Sequence, residues 1–261
     1  MPIVPGLLLL QLTFEDNFNP AAPAPDAAAK WQTVFPYGGV AARTLAGNHE
    51  AECYSDSSVG ENPFLQTHGL LSLTAKPVNP QSNPCDLPYD SGLITTFTSF
   101  SQLYGYFELR AKLPAGQGLW PAFWMLPASN DYTAELDIFE VLGSNPSVLY
   151  ATTHGTTNGV WGSDSQAINV PDTSAAFHTY GVDWEPVTTV FYMDRQPIAV
   201  APTPTSMNSP MYMLINLAVG GVGSWPGPPD ANTKFPAHYW LDYVRAYATA
   251  GTQFVYSGGR K

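Results

Sequence analysis

The residues with the clearest chemical potential are three acids in the segment AELDIFEVLG (134–143). Glu135, Asp137 and Glu140 lie among leucine, isoleucine, phenylalanine and valine, which favour strands or a core. Crowded carboxyl groups repel one another, and this keeps one of them protonated near neutral pH, as general acid–base catalysis requires. A solvated strand face that carries these acids by chance is the alternative. Calcium ligation would need more oxygen ligands than the neighbouring sequence supplies.

The spacing of the three acids predicts an irregular strand. Alternate residues of a strand share a face, so Glu135 and Asp137 are expected to point the same way. Strict alternation would place Phe139 beside them. A β-bulge at 138–139 would return Glu140 to the acid face and keep Phe139 in the core. A retaining glycosidase needs carboxyl groups about 5 Å apart, which two glutamates on a curved sheet can reach.

The segment GLWPAFWMLP, directly before the acids, carries aromatic residues in alternation. In a strand, Trp120 and Trp124 share a face and flank the small Ala122. Two indole rings on one face can stack against flat sugar rings, whereas ordinary core packing is the alternative. Because sequential strands are usually neighbours in a sheet, the tryptophans are expected to share the surface of the acids.

The rest of the chain predicts the elements that position these side chains. Of 261 residues, 44% are hydrophobic and 13% aromatic, with 22 Gly and 25 Pro. Short apolar segments alternate with turn residues, and no amphipathic helix longer than two turns is evident. These features predict an all-β fold, a sandwich of two antiparallel sheets. We expect a single domain over residues 1–261, with its core at about 10–248.

Charge and hydropathy exclude several classes of partner. The net charge is −11 and the sequence pI about 4.6. Without a basic patch, neither nucleic acid nor an anionic membrane surface is an expected partner. The N-terminal run MPIVPGLLLL is too short for a membrane span and lacks the flanks of a signal peptide, so it is interpreted as the approach to a first strand in QLTFEDNF. A monomer is expected.

The chain contains Cys53 and Cys85 and no other cysteine. They could form one disulfide in an oxidising compartment or remain free thiols, since a chain of this length does not need a disulfide to fold. No CxxC pattern points to a zinc or redox site.

Six blocks, in order, carry a family resemblance: YGYFELRAKLPAGQGLWPAFWMLP, ELDIFEVLG, FHTYGVDWEP, MYMLINLAVGG, WPGPPD and LDYVRAY. From about LTFEDNF to DYVRAY the chain resembles glycoside hydrolase family sixteen. The resemblance implies a curved jelly-roll β-sandwich with a substrate cleft on its concave face. It also implies hydrolysis of internal β-glycosidic bonds with retention of configuration.

Details of the resemblance indicate a branch of the family. Two residues between Asp137 and Glu140 resemble the laminarinase type. The segments SGLITTFTSFSQLYGYFE and GNHEAECY look closest to bacterial endo-β-1,3-1,4-glycanases. Gly92 and Leu93 stand where many laminarinases carry an arginine, which argues against a strict preference for β-1,3-glucan.

The resemblance also assigns roles to the residues of the cleft. Glu135 resembles the nucleophile, Glu140 the general acid/base, and Asp137 the helper that orients Glu135 and modulates its charge. Trp120 and Trp124 resemble cleft-lining sugar platforms.

Further residues at the cleft are implied less directly. Asn48 matches a cleft-edge residue of the non-reducing side. His154 matches a cleft histidine near the acids, with a core histidine as the alternative. Trp225 could stack at the rim or anchor a loop, and Asn216 is expected to support the cleft from below.

The family often binds one calcium ion on the convex side. The matching ligands are the Asp242 carboxylate and the backbone carbonyls of Asn17 and Gly69. A few protein ligands and several waters would make this a structural site. The alternative for Asp242 is a lone hydrogen-bonded acid.

Together these observations predict a secreted, retaining endo-β-glucanase whose natural leader is absent from this sequence. Its substrate would be the β-1,3 or β-1,4 bonds of laminarin, mixed-linkage β-glucan or a bacterial exopolysaccharide, without an organic cofactor. One alternative is a sulfated-galactan hydrolase of the same family. Such an enzyme needs cationic residues to bind the sulfate groups, and this chain has only 10 Lys and Arg residues. The other is a non-catalytic carbohydrate-binding sandwich, which would have no use for the three acids.

Overall fold

The computed structural model describes residues 10–19, 25, 30–249, 252 and 254–257. Strands dominate this part of the chain, and its helical segments are three short 3-10 turns at Gly39–Ala42, Ala46–Asn48 and Pro80–Ser82. The strands are β1 (Gln11–Asp16), β2 (Glu52–Tyr54), β3 (Phe64–Thr67), β4 (Leu70–Pro77), β5 (Tyr89–Ser91), β6 (Leu93–Thr95), β7 (Phe100–Leu103), β8 (Gly105–Lys112), β9 (Leu119–Pro127), β10 (Ala134–Val141), β11 (Val148–Thr157), β12 (Val160–Asn169), β13 (His178–Trp184), β14 (Thr188–Met193), β15 (Gln196–Pro202), β16 (Met211–Val219), β17 (Ala237–Ala248) and β18 (Phe254–Ser257). The predicted all-β fold is confirmed.

The strands form two sheets. A ten-stranded sheet has the order β15-β14-β13-β8-β17-β4-β5-β2, with β1 paired to β17 and β3 to β4. An eight-stranded sheet has the order β12-β11-β10-β9-β16-β7-β18, with β6 paired to β16. The pairing is antiparallel apart from β2 and β5, which run parallel at the edge of the larger sheet. Strands distant in sequence are therefore neighbours, as in a jelly roll.

The main core lies between the two sheets. From β9 and β10 it receives Phe123, Met125, Leu136 and Phe139, each 0% exposed. Because strand side chains alternate, Trp120, Ala122 and Trp124 of β9 and Glu135 and Asp137 of β10 point to the outer face of the eight-stranded sheet. The predicted sandwich thus leaves that outer face free to carry a site.

A second apolar cluster covers part of this outer face. Its buried members are Phe35, Tyr54, Leu93, Ala122, Trp124, Leu126, Tyr212 and Leu214. Phe35 comes from the segment before β2, and its ring meets Tyr54 at 5.6 Å and Trp124 at 6.1 Å. Burial of a large aromatic side chain contributes about 2–3 kcal/mol, so this contact fixes the segment 31–50 as a wall above the sheet.

The predicted bulge in β10 is present. Its pairing register shifts between Asp137 and Glu140 against β11, and between Asp137 and Phe139 against β9. Ile138 and Phe139 are consecutive, yet both are buried in the core between the sheets. Regular alternation forbids this arrangement, and a bulge permits it. The three acids consequently share the outer face.

Cys53 and Cys85 form a disulfide with a Cα–Cα distance of 5.7 Å, which decides between the two alternatives that the sequence left open. The bond ties β2 to the loop that precedes β5.

The predicted first strand begins at Gln11, whereas the apolar run before it lies, apart from Leu10, outside the described residues. Among the described residues, no helix has the length and hydropathy to cross a membrane.

Candidate active site

A cavity of about 710 Å³ opens on the outer face of the eight-stranded sheet. Its floor comes from alternate residues of β9, β10 and β16, and one wall comes from residues 37–50. The three acids of β10 lie in it, as do Trp120, Trp124, Asn48 and Asn216. We call this cavity the cleft.

Glu135 and Asp137 of the cleft form a cluster with His154, in which one carboxylate or imidazole atom of each residue lies within 4.8 Å of the others. His154 itself is not among the residues that line the cleft. His154 stands opposite Glu135 in the β10–β11 pairing, and its Nε2 lies 3.1 Å from Asp137 Oδ2. Asp137 is 2% exposed, and burial, followed by the negative charges of Glu135 and Glu140, raises its pKa well above the ordinary value. Despite the nearby imidazole, Asp137 Oδ2 receives no well-directed hydrogen bond. The raised pKa favours a proton on Asp137, which its side-chain hydrogen bond with Glu135 would share.

Glu140 lies at the other end of the acid row, where the Trp120 indole Nε1 donates to its Oε1 over 3.0 Å. Burial and then the negative charge of Glu135 raise the pKa of Glu140 to about 7, although the Trp120 hydrogen bond acts in the opposite direction. A carboxyl group with this pKa can donate a proton near neutral pH and accept it back.

Glu135 has a different partner. The hydroxyl group of Tyr132, in the connection between β9 and β10, donates to Glu135 Oε2 over 2.7 Å. This hydrogen bond fixes the orientation of the Glu135 carboxyl group. The two outer acids therefore have unlike surroundings, as a pair with different roles requires.

The two tryptophans of β9 differ in exposure. Trp124 is 9% exposed, packs on Phe35, and donates from Nε1 to Asn216 Oδ1 over 2.7 Å. Trp124 therefore forms part of the cleft floor and is also packed in the second apolar cluster, so sugar contact and core packing are compatible roles for it. Trp120 is more open and offers more of its ring to the cleft.

Trp225 stands at the rim, 47% exposed, with its ring edge-on to Trp120 at 5.5 Å and to Tyr150 at 4.6 Å. The loop that carries it folds back tightly at Gly220, where a Cβ atom would come within 2.4 Å of Gly227 O. The loop anchor and the exposed ring are therefore compatible roles.

A network of buried polar groups extends from Asn48 into the wall. The Asn48 amide Nδ2 donates to Glu50 Oε1 over 3.1 Å, and Glu50 and Glu52 are themselves hydrogen-bonded. Glu52 is 0% exposed and its Oε2 accepts from Val219 N over 2.7 Å. Burial raises the pKa of both carboxyl groups, and the charge of Glu50 raises that of Glu52 further. These shifts favour a proton held within the buried pair.

The protonated pair predicts a pH-dependent stability. Because folded Glu52 keeps a proton that the unfolded chain loses near pH 4.5, its contribution makes the fold less stable as pH rises above that value. Glu52→Gln can still accept from Val219 N and donate to Glu50, but it cannot ionise. We expect it to raise the free energy of unfolding by on the order of 1 kcal/mol at pH 8, with little change at pH 4.

Urea denaturation at both pH values measures this effect, and Glu61→Gln at a largely exposed position is the matched control. Equal stability of wild type and Glu52→Gln at pH 8 would show that the buried pair holds no proton.

The residues predicted to bind calcium lie on and around the ten-stranded sheet. Asp242 sits at a register shift of β17, and its Oδ2 is ion-paired with Arg110 Nη1. Asn17 follows β1, with its side-chain oxygen accepting from Arg245 over 3.1 Å. Gly69, at φ +76°, forms the turn between β3 and β4. Asp242 is the one carboxylate among these predicted ligands, and Arg110 is already paired with it. A calcium ion would therefore have to compete with Arg110 for Asp242.

Three titratable residues of the cleft were not identified from the sequence: Tyr37, Glu50 and Tyr132. The alternation of Glu50 and Glu52 in HEAECY was a usable signal, because it resembles the alternation of acids in β10. No spacing rule identifies Tyr37 or Tyr132, which lie in irregular segments.

Comparison with known proteins adds independent information. The family model "Glycosyl hydrolases family 16" matches residues 54–245. An endo-1,3-1,4-β-glycanase of Rhizobium meliloti (strain 1021) is 40% identical over 246 residues, covering 92% of this chain and 52% of that protein. A glucan endo-1,3-β-glucosidase of Cryptopygus antarcticus is 30% identical over 266 residues, covering 90% of this chain and 91% of that protein.

Among solved structures, the catalytic domain of an endo-1,3-β-glucanase (laminarinase) from Thermotoga petrophila superposes with a TM-score of 0.77 at 30% identity. The match covers 92% of this chain and 98% of that one. The chain spans about half the length of the Rhizobium meliloti relative and of a second endo-1,3-1,4-β-glycanase from the same organism, which is 39% identical, with 52% of each covered.

Proposed function

The chain belongs to family 16 of the glycosyl hydrolases, and from that membership we propose that it is a retaining endo-β-glucanase. The observation that carries the proposal is the pair Glu135 and Glu140 in one cleft with unlike surroundings. Glu140 has a pKa raised to about 7, whereas Glu135 receives a hydrogen bond from Tyr132. A retaining glycosidase needs this combination of a proton donor and an oriented carboxyl nucleophile.

The proposed reaction has two steps. In the first, a Glu135 carboxylate oxygen attacks the anomeric carbon while Glu140 gives its proton to the departing glycosidic oxygen. A glycosyl ester on Glu135 results. In the second, Glu140 takes a proton from water, the water oxygen attacks the same carbon, and the electron pair of the ester bond returns to Glu135. The side chains supply both nucleophile and proton, so no organic cofactor is needed.

Asp137 and Trp120 support this cycle. A proton on Asp137 removes one negative charge from beside Glu135, which lowers the repulsion in the row of acids. The Trp120 indole fixes Glu140 Oε1 and leaves the other oxygen to exchange the proton.

The proposed substrate is a polymer with β-1,3 or β-1,4 glucosidic bonds. Relatives named for β-1,3-glucan and for 1,3-1,4-linked glycan support this class. Gly92 and Leu93 stand where many laminarinases carry an arginine. This difference favours an enzyme that accepts more than one type of β-linkage over an enzyme that is strict for β-1,3 bonds.

A product profile on laminarin, lichenan, barley β-glucan, xyloglucan, agarose and succinoglycan tests the proposal. We expect oligosaccharides of intermediate length from at least one of the first three polymers or from succinoglycan. Cleavage of agarose alone would favour a galactan hydrolase, and tight polymer binding without any product would favour a carbohydrate-binding sandwich.

We also propose that the protein is secreted and acts as a monomer without membrane attachment. The disulfide between Cys53 and Cys85 supports an oxidising compartment. A polymeric substrate supports action outside the cell, because a polysaccharide does not pass the membrane. Size-exclusion chromatography with light scattering, together with fractionation of a producing culture, tests both statements.

Calcium is the remaining proposal from family membership. Because Arg110 competes for Asp242, we expect only weak binding, with a Kd of about 1 mM or above. Calcium at ten times its Kd would stabilise the fold by about 1.4 kcal/mol, which shifts the melting temperature by a few degrees. Thermal denaturation in EDTA and in millimolar calcium measures this shift, and Asp242→Ala should abolish it. If the melting temperature of the wild type does not change at any calcium concentration, the protein has no calcium site here.

A further inference from the structure

The hydroxyl group of Tyr132 donates to Glu135 Oε2 over 2.7 Å, but Tyr132 moves no proton and forms no bond in either step of the proposed reaction. We propose that Tyr132 is a positioning residue that orients Glu135 for attack and stabilises its carboxylate as the sugar leaves it. The inference rests on the proposed function, because it concerns the second step of that reaction.

The backbone holds Tyr132 in an unfavourable conformation. Its φ is 48°, in the left-handed region that aromatic residues rarely adopt. The surrounding connection is tightly bonded: Asp131 Oδ1 accepts from Thr133 N at 3.3 Å and from Thr133 Oγ1 at 2.9 Å. Asn130 N donates to Pro127 O over 2.9 Å, where β9 ends. Strain of this kind persists where surrounding structure enforces it, and such residues concentrate at functional sites.

The ring of Tyr132 is supported from the other side by β12. Trp161 lies with its ring centroid 5.7 Å from that of Tyr132, at an interplanar angle of 34°. β12 pairs with β11, whose His154 stands opposite Glu135. The connection between β9 and β10, together with β11 and β12, therefore fixes the Tyr132 phenol relative to the Glu135 carboxylate.

The hydroxyl group remains a donor at working pH. Tyr132 is 55% exposed, but partial burial, followed by the negative charge of Glu135, raises its pKa above the ordinary value, so the phenol keeps its proton. Tyr132 donates to Oε2 and leaves Oε1 of Glu135 to attack the anomeric carbon.

The second step gives this hydrogen bond its catalytic use. In the glycosyl-enzyme, Glu135 is an uncharged ester whose carbonyl oxygen accepts a weaker hydrogen bond. As the bond from carbon to Glu135 breaks, the electron pair returns to the carboxylate and negative charge develops. A donor that binds more strongly to the developing charge than to the ester accelerates this step.

Tyr132→Phe removes only the hydroxyl group, and an activated aryl β-glycoside makes the second step rate-limiting. We expect kcat to fall about 10- to 100-fold, the loss for one hydrogen bond to a charged group. KM should fall with it, because the glycosyl-enzyme accumulates. Stopped-flow measurement should show a burst of phenol release close to the enzyme concentration.

Tyr89→Phe is the matched control, since Tyr89 lies on the ten-stranded sheet with its ring stacked on Phe235. Its kinetics should equal those of the wild type, and the melting temperatures of both variants should stay within about 2 °C of it. Trp161→Ala keeps the hydroxyl group but removes the ring contact, and should give a smaller loss of kcat in the same direction.

Two results would overturn the inference while leaving the proposed function intact. One is kinetics of Tyr132→Phe equal to those of Tyr89→Phe. The other is a higher KM with unchanged kcat, which would make Tyr132 a residue that only contacts the sugar. An inactive wild type would instead refute the proposed function, and the inference with it.

Discussion

Alanine at position 135 is expected to reduce kcat on β-glucan by about 10⁴-fold or more, because it removes the group that forms the covalent intermediate. Glu135 lies at the centre of the cleft, hydrogen-bonded to Tyr132, with Asp137 as its neighbour. No other carboxyl group in this part of the described structure has the same position, since Asp137 is buried and Glu140 belongs to the opposite end of the acid row. Reducing-sugar release from laminarin or lichenan measures the loss.

Azide identifies the role of the missing group. In Glu135→Ala the space left by the side chain admits azide, which attacks the anomeric carbon of an activated β-glycoside directly. One inversion gives the α-glycosyl azide. Glu61→Ala, at an exposed position, is the matched control and should behave as the wild type. Substantial activity of Glu135→Ala without azide, or a β-azide product from it, would assign the nucleophile elsewhere.

Alanine at position 140 is expected to give a loss that depends on the substrate. Hydrolysis of polymer should fall about 10³-fold or more, because its leaving oxygen requires a proton. An aryl glycoside with a good leaving group needs no proton, so its first step should persist. Azide should then accelerate turnover of Glu140→Ala and yield the β-glycosyl azide, since two inversions preserve configuration. An α-azide from this variant would reverse the roles of Glu135 and Glu140.

The same residue determines a pH dependence. The proton donor is the protonated form of Glu140, whose pKa is raised to about 7 by burial and by Glu135. For wild type on polymer, kcat/KM should therefore decline about tenfold per pH unit above pH 7. Glu140→Ala on an aryl glycoside should lack that decline. A wild-type profile that stays flat to pH 9 would contradict the raised pKa.

Sequence alone predicted the part of this site that follows strand periodicity. Glu135 and Asp137 share a face because strand residues alternate, and Glu140 could be placed with them because Phe139 needed a core position. The alternating tryptophans of β9 fell on the same surface for the same reason. These predictions depended on local geometry, which a single strand determines.

Features that depend on distant contacts could not be predicted. Tyr132 reaches Glu135 through an irregular connection with a left-handed residue, for which no sequence periodicity exists. Trp124 is mostly buried because Phe35, from the segment before β2, packs on it. The ion pair of Arg110 with Asp242 joins β8 to β17, and it weakens the calcium ligand set that resemblance implied. Secretion, the monomeric state and calcium binding stay predictions.

The central claim is double displacement through Glu135 and Glu140, and the configuration of the first product tests it most directly. Proton NMR of the anomeric region, recorded during the first minutes of laminarin or lichenan hydrolysis by wild type, separates the two anomers before mutarotation mixes them. The account predicts that the β-anomer appears first and the α-anomer grows in later. Release of the α-anomer first would show a single inversion and would contradict the account.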